Sequence, residues 1–357
     1  MKDLNEGYPA NDELDEESSD EQSELFEHFH FDVDKGQTLL RIDKFLVNKI
    51  QNASRNRVQN AADAGTILVN GKAVKSSYKV KPGDSISIVM AYPPRDVEIL
   101  PENIPLNIVY EDNDVVVINK EPGMVVHPGH GNFSGTLVNA LMYHLKDVPL
   151  FSSGEVRPGL VHRIDKNTSG IMVIGKSEIA TNRLAKQFFD RTTSRKYVAM
   201  VWGNMDEPNG TITGHIGRSI RDRKKMQVFP DGDQGKHAIT HWKVIEPLGY
   251  VNLVECKLET GRTHQIRAHF EHIGHPLFND DRYGGNLIVK GTTFTKYKQF
   301  VHNCFTICPR HALHAKSLGF THPTTGKEMF FDSEIPADMQ QLIEKWRIYV
   351  GSREIEE

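Results

Sequence analysis

Short segments with the composition of β-strands follow one another from Leu106 to about residue 259. They are rich in Val, Ile and aromatic residues, which favour strands over helices. In chain order these segments are LNIVYED, DVVVINK, MVVHPG, GIMVIGK, KYVAMVWG, TITGHIG, AITHWKVIE and VNLVECKLE. Helical segments are fewer: SGTLVNALMYHL, SEIATNRLAKQFFD, HQIRAHFEHIG and PADMQQLIEKWRIYV. Runs of strands with few helices between them predict an α+β fold with a mainly antiparallel, mixed sheet.

A small module with a different pattern precedes this region. LLRIDKFLVNKIQN has apolar residues at helical spacing, and Ser54 can cap a second helix that ends at Gly65. The pair Asn70–Gly71 then joins two short strands in a hairpin. Two helices and a hairpin predict a compact α/β domain over residues 38–90. Its cations form either a solubilising surface or a nucleic-acid contact; they include Arg41, Lys44, Arg55, Arg57, Lys72 and Lys75.

Charge is distributed unevenly along the chain. Residues 1–35 hold thirteen Asp or Glu and two Lys, a local formal charge of −11. Since all 357 residues together carry −4, the remaining 322 carry +7. We expect residues 1–37 to form an acidic disordered tail, because they offer almost nothing to bury. Such a tail could also compete with RNA for the basic surface of the body.

The prolines at positions 93, 94, 101 and 105 predict a linker over residues 91–105. The strand-rich domain is then expected over residues 106–350. No apolar run approaches the roughly 20 residues of a membrane span, and the N-terminus lacks the pattern of a signal peptide. Three cysteines argue against a disulfide framework. These features predict a cytoplasmic protein that does not associate with membranes.

Cofactor motifs are missing from the sequence. Neither the P-loop nor the dinucleotide-binding glycine pattern occurs, so nucleotide dependence has no support. Cys304, Cys308, His311 and His314 are spaced C-x3-C-x2-H-x2-H, which is too compact for a usual zinc finger. We therefore predict no metal ligands and no cofactor.

The stretch VHRIDKNTSG places a carboxylate, Asp165, between two cations, Arg163 and Lys166, just before an apolar strand. Asp165 is either a turn residue, in a segment rich in turn formers, or a carboxylate kept ionised for chemistry. Downstream, His264 and Arg267 share a face near the start of a predicted helix. Because the helix dipole disfavours cations there, an anion is expected to meet them, either a phosphate or a carboxylate such as Asp165.

These segments occur together, in this order, in one family. The chain resembles the RluA-type RNA pseudouridine synthases, and most closely the D type, which acts on large-subunit ribosomal RNA. Five segments carry the resemblance: NKEPGMVVHPGHGNFSGTLVNAL, RPGLVHRIDKNTSGIMVIGKS, SRKYVAMVWG, LETGRTHQIRAHFEHIGHPLFNDDRYGG and RHALHAKSLGFTHPTTGKEMFF. The N-terminal module resembles the S4 RNA-binding domain in RIDKFL, SRNRVQNAADAGTILVNGKAVK and KVKPGDSISI.

The resemblance implies residue roles. Asp165 corresponds to the catalytic aspartate, although Ile164 stands where the family usually has Leu. Tyr197 is expected to stack on the target base, Arg267 to pair with Asp165, and Arg163 to fill the gap left by a flipped base. Several residues are expected to bind RNA; besides Arg163 they are Arg262, His264, Arg41, Lys44, Arg55, Arg57 and Lys72.

The implied reaction converts uridine to pseudouridine in RNA, without redox agent, metal or nucleotide. Ribosomal RNA of the large subunit, within an assembling particle, is the expected partner of a monomeric enzyme. Three alternatives stay open: an RNA-binding assembly factor without catalysis, a synthase acting on transfer RNA, and a zinc-dependent RNA-modifying enzyme. The sequence also leaves open whether Asp165 attacks the ribose, attacks the uracil ring or removes a ribose proton.

Overall fold

The structure, a computed structural model, describes residues 26–50, 53, 55–90, 99–129, 132–152, 158–222 and 224–354. The chain divides into two compact units, Met1–Val97 and Glu98–Glu357. Among the described helices, none has both the length and the apolar character needed to cross a membrane.

The first unit has two helices and six short strands in its described part. In chain order they are β1 (Phe26–Asp32), β2 (Leu40–Arg41), α1 (Ile42–Lys49), α2 (Arg55–Asp63), β3 (Ile67–Val69), β4 (Lys72–Ala73), β5 (Lys79–Val80) and β6 (Ser85–Met90). Four strands form an antiparallel sheet in the order β1-β6-β3-β4, and β2 pairs with β5. The predicted hairpin turn is confirmed, because Asn70 and Gly71 both have positive φ, at 51° and 76°. Ser54, the predicted cap of α2, lies outside the described residues.

Strand β1 contradicts the expectation that order begins near residue 38. It pairs with β6 along Phe29↔Ile88 and Phe31↔Ile86, and Val33 just after it is buried in the core of the unit. Phe29 and Phe31 alternate with the polar residues His30 and Asp32, so one face of the strand can pack while the other stays in water. The disordered-tail prediction is therefore wrong for residues 26–37, where charge concealed a strand pattern. Residues 1–25 lie outside the described part of the chain.

The second unit contains ten further strands and six further helices in its described part. In chain order they are β7 (Ile108–Glu111), β8 (Val115–Lys120), α3 (Leu137–His144), α4 (Pro149–Ser152), β9 (Ser169–Gly175), α5 (Glu178–Asp190), β10 (Ser194–Trp202), β11 (Asn209–Arg218), β12 (Met226–Phe229), β13 (Lys236–Leu248), β14 (Val251–Leu258), α6 (Gln265–His272), α7 (Thr295–Ile307), β15 (Leu313–Thr321), β16 (Glu328–Asp332) and α8 (Ala337–Glu354).

One long sheet organises this unit, with strand order β12-β11-β13-β14-β10-β15-β9-β8-β7 and β16 beside β15. Its described strand pairs are antiparallel except β9 and β15, which are parallel. The α+β fold with a mainly antiparallel, mixed sheet is thus confirmed. Val116 and Met172 face a core formed with α3 and α4, whereas Val117 and Val173 face a core on the α5 side. This period-two burial on both faces explains the nearly continuous apolar runs of the central strands.

Because β9 and β15 are parallel neighbours, the segments that lead into them lie at the same end of the two strands, although they are distant in the sequence. His314 of β15 pairs with Ser169 of β9, so the loops that lead into these two strands lie side by side. His311 Nε2 lies 2.9 Å from Thr168 Oγ1, and Arg310 Nη1 donates to the Asn167 carbonyl at 3.0 Å. The loop that contains VHRIDKNTSG is therefore braced by residues about 143 positions later in the sequence.

Some details differ from the sequence expectations. MVVHPG does not form a strand, and β12, β15, β16 and α7 were not predicted. Residues 91–98 of the predicted linker lie outside the described residues. Residues 99–105 pack on the second unit, because Ile99 is buried in its core and the Leu100 carbonyl accepts a hydrogen bond from Asn139. The proline spacing could not distinguish this packed segment from a free linker.

Candidate active site

Asp165 lies in the loop before β9, and its side chain is 19% exposed. The loop bends through its backbone, because the Asp165 carbonyl accepts a hydrogen bond from the Thr168 N–H at 3.1 Å. The Asp165 carboxylate takes no part in this bond. Its Oδ2 instead accepts a hydrogen bond from Arg267 Nη1 at 3.0 Å. The backbone carbonyl of Asp165 thus stabilises the turn, while its side chain forms an ion pair with Arg267.

Arg267, on α6, is held between two carboxylates. Its Nε and Nη2 donate to Asp280 at 2.7 and 2.8 Å, in the strong bidentate geometry, while Nη1 reaches Asp165. Asp280 is fully buried, and its Oδ1 also accepts the backbone N–H groups of Arg282 and Tyr283, each at 3.2 Å. The two backbone N–H groups hold the Asp280 carboxylate in place, and Asp280 in turn holds the guanidinium of Arg267. As a result, Nη1 of Arg267 is directed at Asp165.

Nearby charges favour the ionised form of Asp165. Burial alone would raise the pKa of this carboxyl, but His264, in the protonated form that it takes at acidic pH, and Arg267 hold the pKa below its ordinary value. Burial also lowers the pKa of His264, and it lowers that of His311 to about 3. Both rings are therefore neutral at pH 7, and Arg267 carries the lasting positive charge. Asp165 is a carboxylate at neutral pH, which a nucleophile or a general base requires.

His264 and Tyr283 support this ion pair. His264 Nε2 lies 3.9 Å from Asp165 Oδ1, and its Nδ1 lies 3.0 Å from the Tyr283 hydroxyl. The Arg267 guanidinium stands 4.9 Å from the centre of the Tyr283 ring, within the range of a cation–π contact. His264 takes a left-handed backbone conformation, with φ of 53°, immediately before α6. This conformation ends the loop and starts the helix that carries Arg267.

Tyr197 lies on β10 opposite Cys256 of β14 and lines the same cavity as Asp165. The cavity has a volume of about 440 Å³, within the range of small-molecule sites. Tyr197 is half-buried, and burial raises the pKa of its phenol, so the hydroxyl is neutral. The site therefore offers an aromatic ring and an ionised carboxylate to one flat polar ligand. Arg163, which is exposed, and Arg262 also line it.

The predicted RNA-binding residues do not form one group. Arg163, Arg262 and His264 lie at the cavity or beside Asp165, and Arg262 Nε donates to the His237 carbonyl at 3.0 Å. The other predicted residues belong to the first unit: Arg41, Lys44, Arg55, Arg57 and Lys72. The Arg57 side chain lies outside the described part of the structure, and Lys44 and Lys72 are exposed.

Two arginines of the first unit converge on a buried carboxylate. Asp43 is fully buried and accepts hydrogen bonds from Arg41 at 2.9 and 3.1 Å and from Arg55 at 3.0 Å. Gln59 and the Lys44 backbone N–H also donate to Asp43. Asp43 therefore fixes the positions of two cations that are themselves partly exposed.

Sequence reasoning missed Asp280, Tyr283 and Lys120. The first two lie in LFNDDRYGG, a segment in which Asp and Gly by themselves indicate a turn. Lys120 ends β8, is buried, and its Nζ donates to the carbonyls of Glu121, Met124 and Lys166 at 2.7, 2.9 and 3.0 Å. It thereby ties the loop after β8 to the loop of Asp165. No sequence signal distinguished it from a surface lysine.

The Cys and His side chains weighed as zinc ligands have other partners. Cys304 and Cys308 lie in the apolar core that includes Trp346, and burial raises the pKa of each thiol to about 12. His314 lies 2.9 Å from the hydroxyls of both Ser169 and Ser333. Within the described ranges, the Cys and His cluster does not have suitably spaced ligand atoms, whereas a different group does: Asp112, Asp114 and His322. His322 there already bonds Asp112 and two backbone N–H groups.

Comparisons with known proteins agree with this geometry. The model of the family described as RNA pseudouridylate synthase matches residues 114–272, and that of the S4 domain matches residues 40–86. An uncharacterized RNA pseudouridine synthase of Chlorobaculum parvum is 48% identical over 88% of this chain and 97% of its own. The ribosomal large subunit pseudouridine synthase D of Zymomonas mobilis is 41% identical over 85% of this chain and 92% of its own.

A solved structure shares the fold. Human RNA Pseudouridylate Synthase Domain Containing 4 has a TM-score of 0.51 and 22% identity, over 68% of this chain and 93% of that one. The identities of 48% and 41% extend over most of both chains, so they relate whole proteins rather than a shared module. The chain belongs to the RNA pseudouridine synthase family, with an N-terminal S4 domain, and is an isomerase that acts on uridine in RNA.

Proposed function

We propose that the enzyme converts specific uridines of large-subunit ribosomal RNA to pseudouridine, with Asp165 as the catalytic residue. The observation that carries the assignment of Asp165 is its carboxylate, ionised by Arg267 and sharing a cavity with Tyr197. Relatives from Zymomonas mobilis and Neisseria meningitidis named ribosomal large subunit pseudouridine synthase D, at 41% and 39% identity, support the choice of RNA. The enzyme acts as a monomer in the cytoplasm, on RNA of the assembling particle.

The reaction breaks the bond between N1 of uracil and C1′ of ribose and forms a bond between C5 and C1′. The proton on C5 leaves, and N1 gains one, so the product is an isomer of the substrate. A base stacked in RNA cannot turn in this way and must first leave the stack, at a cost of about a few kcal/mol. Arg163, exposed at the mouth of the cavity, fills the space that the base leaves.

Within the cavity, the Tyr197 ring stacks on the extruded uracil. The Asp165 carboxylate then attacks C1′ of the ribose, attacks the uracil ring or removes a ribose proton; each route needs it ionised. Arg267 keeps it so, and Asp280 keeps Arg267 in position. An assembly factor without catalysis would have no need for this buried charge arrangement.

A pseudouridine map of large-subunit ribosomal RNA tests the proposal. Cells that lack the enzyme would express wild type, Asp165→Asn or, as a matched control, Asp147→Asn, which changes an exposed aspartate. We expect defined pseudouridines with wild type and Asp147→Asn and their loss with Asp165→Asn. Pseudouridines that persist with Asp165→Asn would remove Asp165 from catalysis. A ribosomal map that never depends on the enzyme, together with changes in transfer RNA, would refute the proposed substrate.

A further inference from the structure

Arg195 is a buried cation in the active-site cavity for which the proposed reaction has no use. It lies on β10 two residues before Tyr197, is 8% exposed, and lines the cavity with Asp165 and Tyr197. Its Nε is buried and has no hydrogen-bond partner within the described residues. Its Nη2 donates to the Glu259 carbonyl at 3.4 Å, which is long for a hydrogen bond.

No carboxylate compensates this charge in the part of the chain that the structure describes. The carboxylate of Glu259, which also lines the cavity, lies 2.6 Å from His241 Nε2. The Phe188 ring, 5.5 Å from the guanidinium carbon, shields one face of Arg195 from water. Burial accordingly lowers the pKa of Arg195, and the charge of Arg191 lowers it further. A guanidinium stays protonated in any protein, so the charge persists.

A buried charge without a partner is unfavourable, and proteins normally pair such groups. Other cations line the same cavity: Arg163, Arg191 and Arg262. They add positive potential and cannot neutralise Arg195. Asp165 is not free to do so, because its carboxylate is bonded to Arg267. The site is therefore complete only when a ligand brings an anion to Arg195.

We infer that Arg195 binds a phosphodiester oxygen of the RNA, at a linkage next to the uridine that enters the cavity. This inference rests on the proposed function, since it assumes that a nucleotide enters beside Asp165. Uracil and ribose are neutral and cannot compensate a buried guanidinium, whereas every internal nucleotide carries a phosphate on each side. Arg recognises phosphate with several aligned donors and gains most where water is excluded. Arg195 is thus a binding residue that positions the RNA backbone, while Tyr197 binds the base.

Phosphate-ethylation interference tests this contact at every linkage of the RNA in one experiment. Transcripts that tile the large-subunit ribosomal RNA are ethylated at random phosphates, which neutralises them, and bound molecules are separated from unbound ones. With wild type, we expect interference at a phosphate beside a uridine that the enzyme converts. With Arg195→Gln, that single interference should vanish while the others persist. Affinity should fall about tenfold, and the slope of log affinity against log salt should fall by about 1.

Two variants control the experiment. Arg347→Gln removes an arginine of α8 that is paired with Glu246 of β13, and it should leave the wild-type interference pattern. Arg195→Lys keeps the charge and should keep the interference at the same phosphate, which a loss of folding would not do. An Arg195→Gln pattern identical to wild type would overturn the inference. The inference would also be overturned if Arg195→Gln abolished interference at a phosphate that flanks no uridine.

The same transcripts separate this inference from the proposed function. Pseudouridine formation is measured on them with wild-type enzyme. If wild type converts no uridine but Arg195→Gln still loses one interference beside a uridine, the proposed substrate fails and the phosphate contact stands. If conversion occurs and no interference depends on Arg195, the contact fails and the proposed function stands.

Discussion

The ion pair between Arg267 and Asp165 gives the sharpest prediction, through the variant Arg267→Gln. The substitution keeps a polar side chain of moderate length and removes the charge between Asp165 and Asp280. Both carboxylates depend on this guanidinium, at 3.0 Å for Asp165 and 2.7 Å for Asp280. In the variant, two largely buried carboxylates lie in one site without their cation.

The size of the effect follows from the environment of Asp165. An opposite charge within about 4–6 Å lowers a carboxyl pKa by about 1–3 units, so its removal should raise the pKa of Asp165 by a similar amount. Burial then meets less opposition and raises the pKa further, above the ordinary value of about 3.9. Breaking a buried pair by removing one partner costs about 3–5 kcal/mol of unfolding free energy at pH 7.

The pKa of Asp165 sets the direction of the pH dependence. In wild type the pKa of Asp165 is depressed, so its stabilising contribution is present above the unfolded pKa of about 3.9 and is lost as the pH falls through the folded pKa. In Arg267→Gln the folded pKa is raised instead. The variant is then most destabilised above that raised pKa, and its deficit relative to wild type shrinks as the pH falls through it.

Two assays measure these quantities. Release of tritium from RNA labelled at C5 of uracil gives kcat/KM from pH 5 to pH 9. We expect the acidic limb of wild type to lie below this range, because the pKa of Asp165 is depressed. In Arg267→Gln the limb should move up by about 1–3 pH units, so the variant should lose kcat/KM at the acidic end of the range. Urea unfolding at pH 5 and pH 8 gives the free energy of unfolding, with the larger deficit expected at pH 8.

The control for Arg267→Gln is Arg347→Gln, which breaks an exposed ion pair with Glu246 and should leave both readouts near wild type. An unmoved acidic limb in Arg267→Gln, with kcat/KM within about twofold of wild type, would refute the claim that Arg267 sets the ionisation of Asp165. Equal destabilisation at pH 5 and pH 8 would show that lost packing, not unpaired charge, explains the stability effect.

Three predictions concern the first unit. Asp43→Asn should cost about 1–3 kcal/mol in unfolding free energy and weaken RNA binding, because Asp43 joins Arg41 and Arg55. The pKa of Asp43 is depressed, so the stability gap to wild type should begin to narrow as the pH falls below the unfolded pKa of about 3.9 and keep narrowing toward the folded pKa; a gap in urea unfolding that stays constant from about pH 5 to about pH 3 would contradict this reasoning. Deletion of residues 1–25, which hold ten Asp or Glu and one Lys, should leave turnover unchanged and RNA binding equal or tighter at low salt. Deletion of residues 1–35 should also lower the melting temperature, because it removes β1 and Val33 from the core; equal melting temperatures for the two deletions would show that β1 contributes nothing.

Local patterns in the sequence predicted local structure well. The Asn70–Gly71 turn and α6 with Gly274 after its end follow from rules that concern a few neighbouring residues. The Val, Ile and aromatic composition of the segments predicted most of the strands and, with their order, the fold class, although it missed β12, β15 and β16. Charge composition misled where it hid the β1 pattern, because the thirteen acidic residues of residues 1–35 outnumber the aromatic ones, although β1 itself holds three Phe.

The site could be predicted only in part, for a physical reason. Asp165 and Arg267 are 102 positions apart, and composition alone allowed a phosphate instead of Asp165 as the partner of Arg267. A resemblance to known sequences supplied that pairing. Asp280 lies in a turn, and Lys120 lies at the end of a strand. Asp and Lys are common at such positions for many structural reasons, so their contacts in the site could not be predicted from the sequence. Long-range pairs of this kind have no local signature.

The charges of the active site are separated in a way that suits a reaction on a neutral base within a polyanion. At its centre, Asp165 and Asp280 share the single guanidinium of Arg267, so this trio carries a net negative charge. His264 and His311 add none at pH 7, because burial lowers the pKa of each. Arginines line the surrounding cavity, with Arg195 lacking a partner among the described residues. A phosphate is therefore repelled by the centre and attracted to the cavity wall, whereas uracil can approach Asp165 without that penalty. Such an arrangement can select which part of a nucleotide reaches the carboxylate before any base-specific hydrogen bond forms.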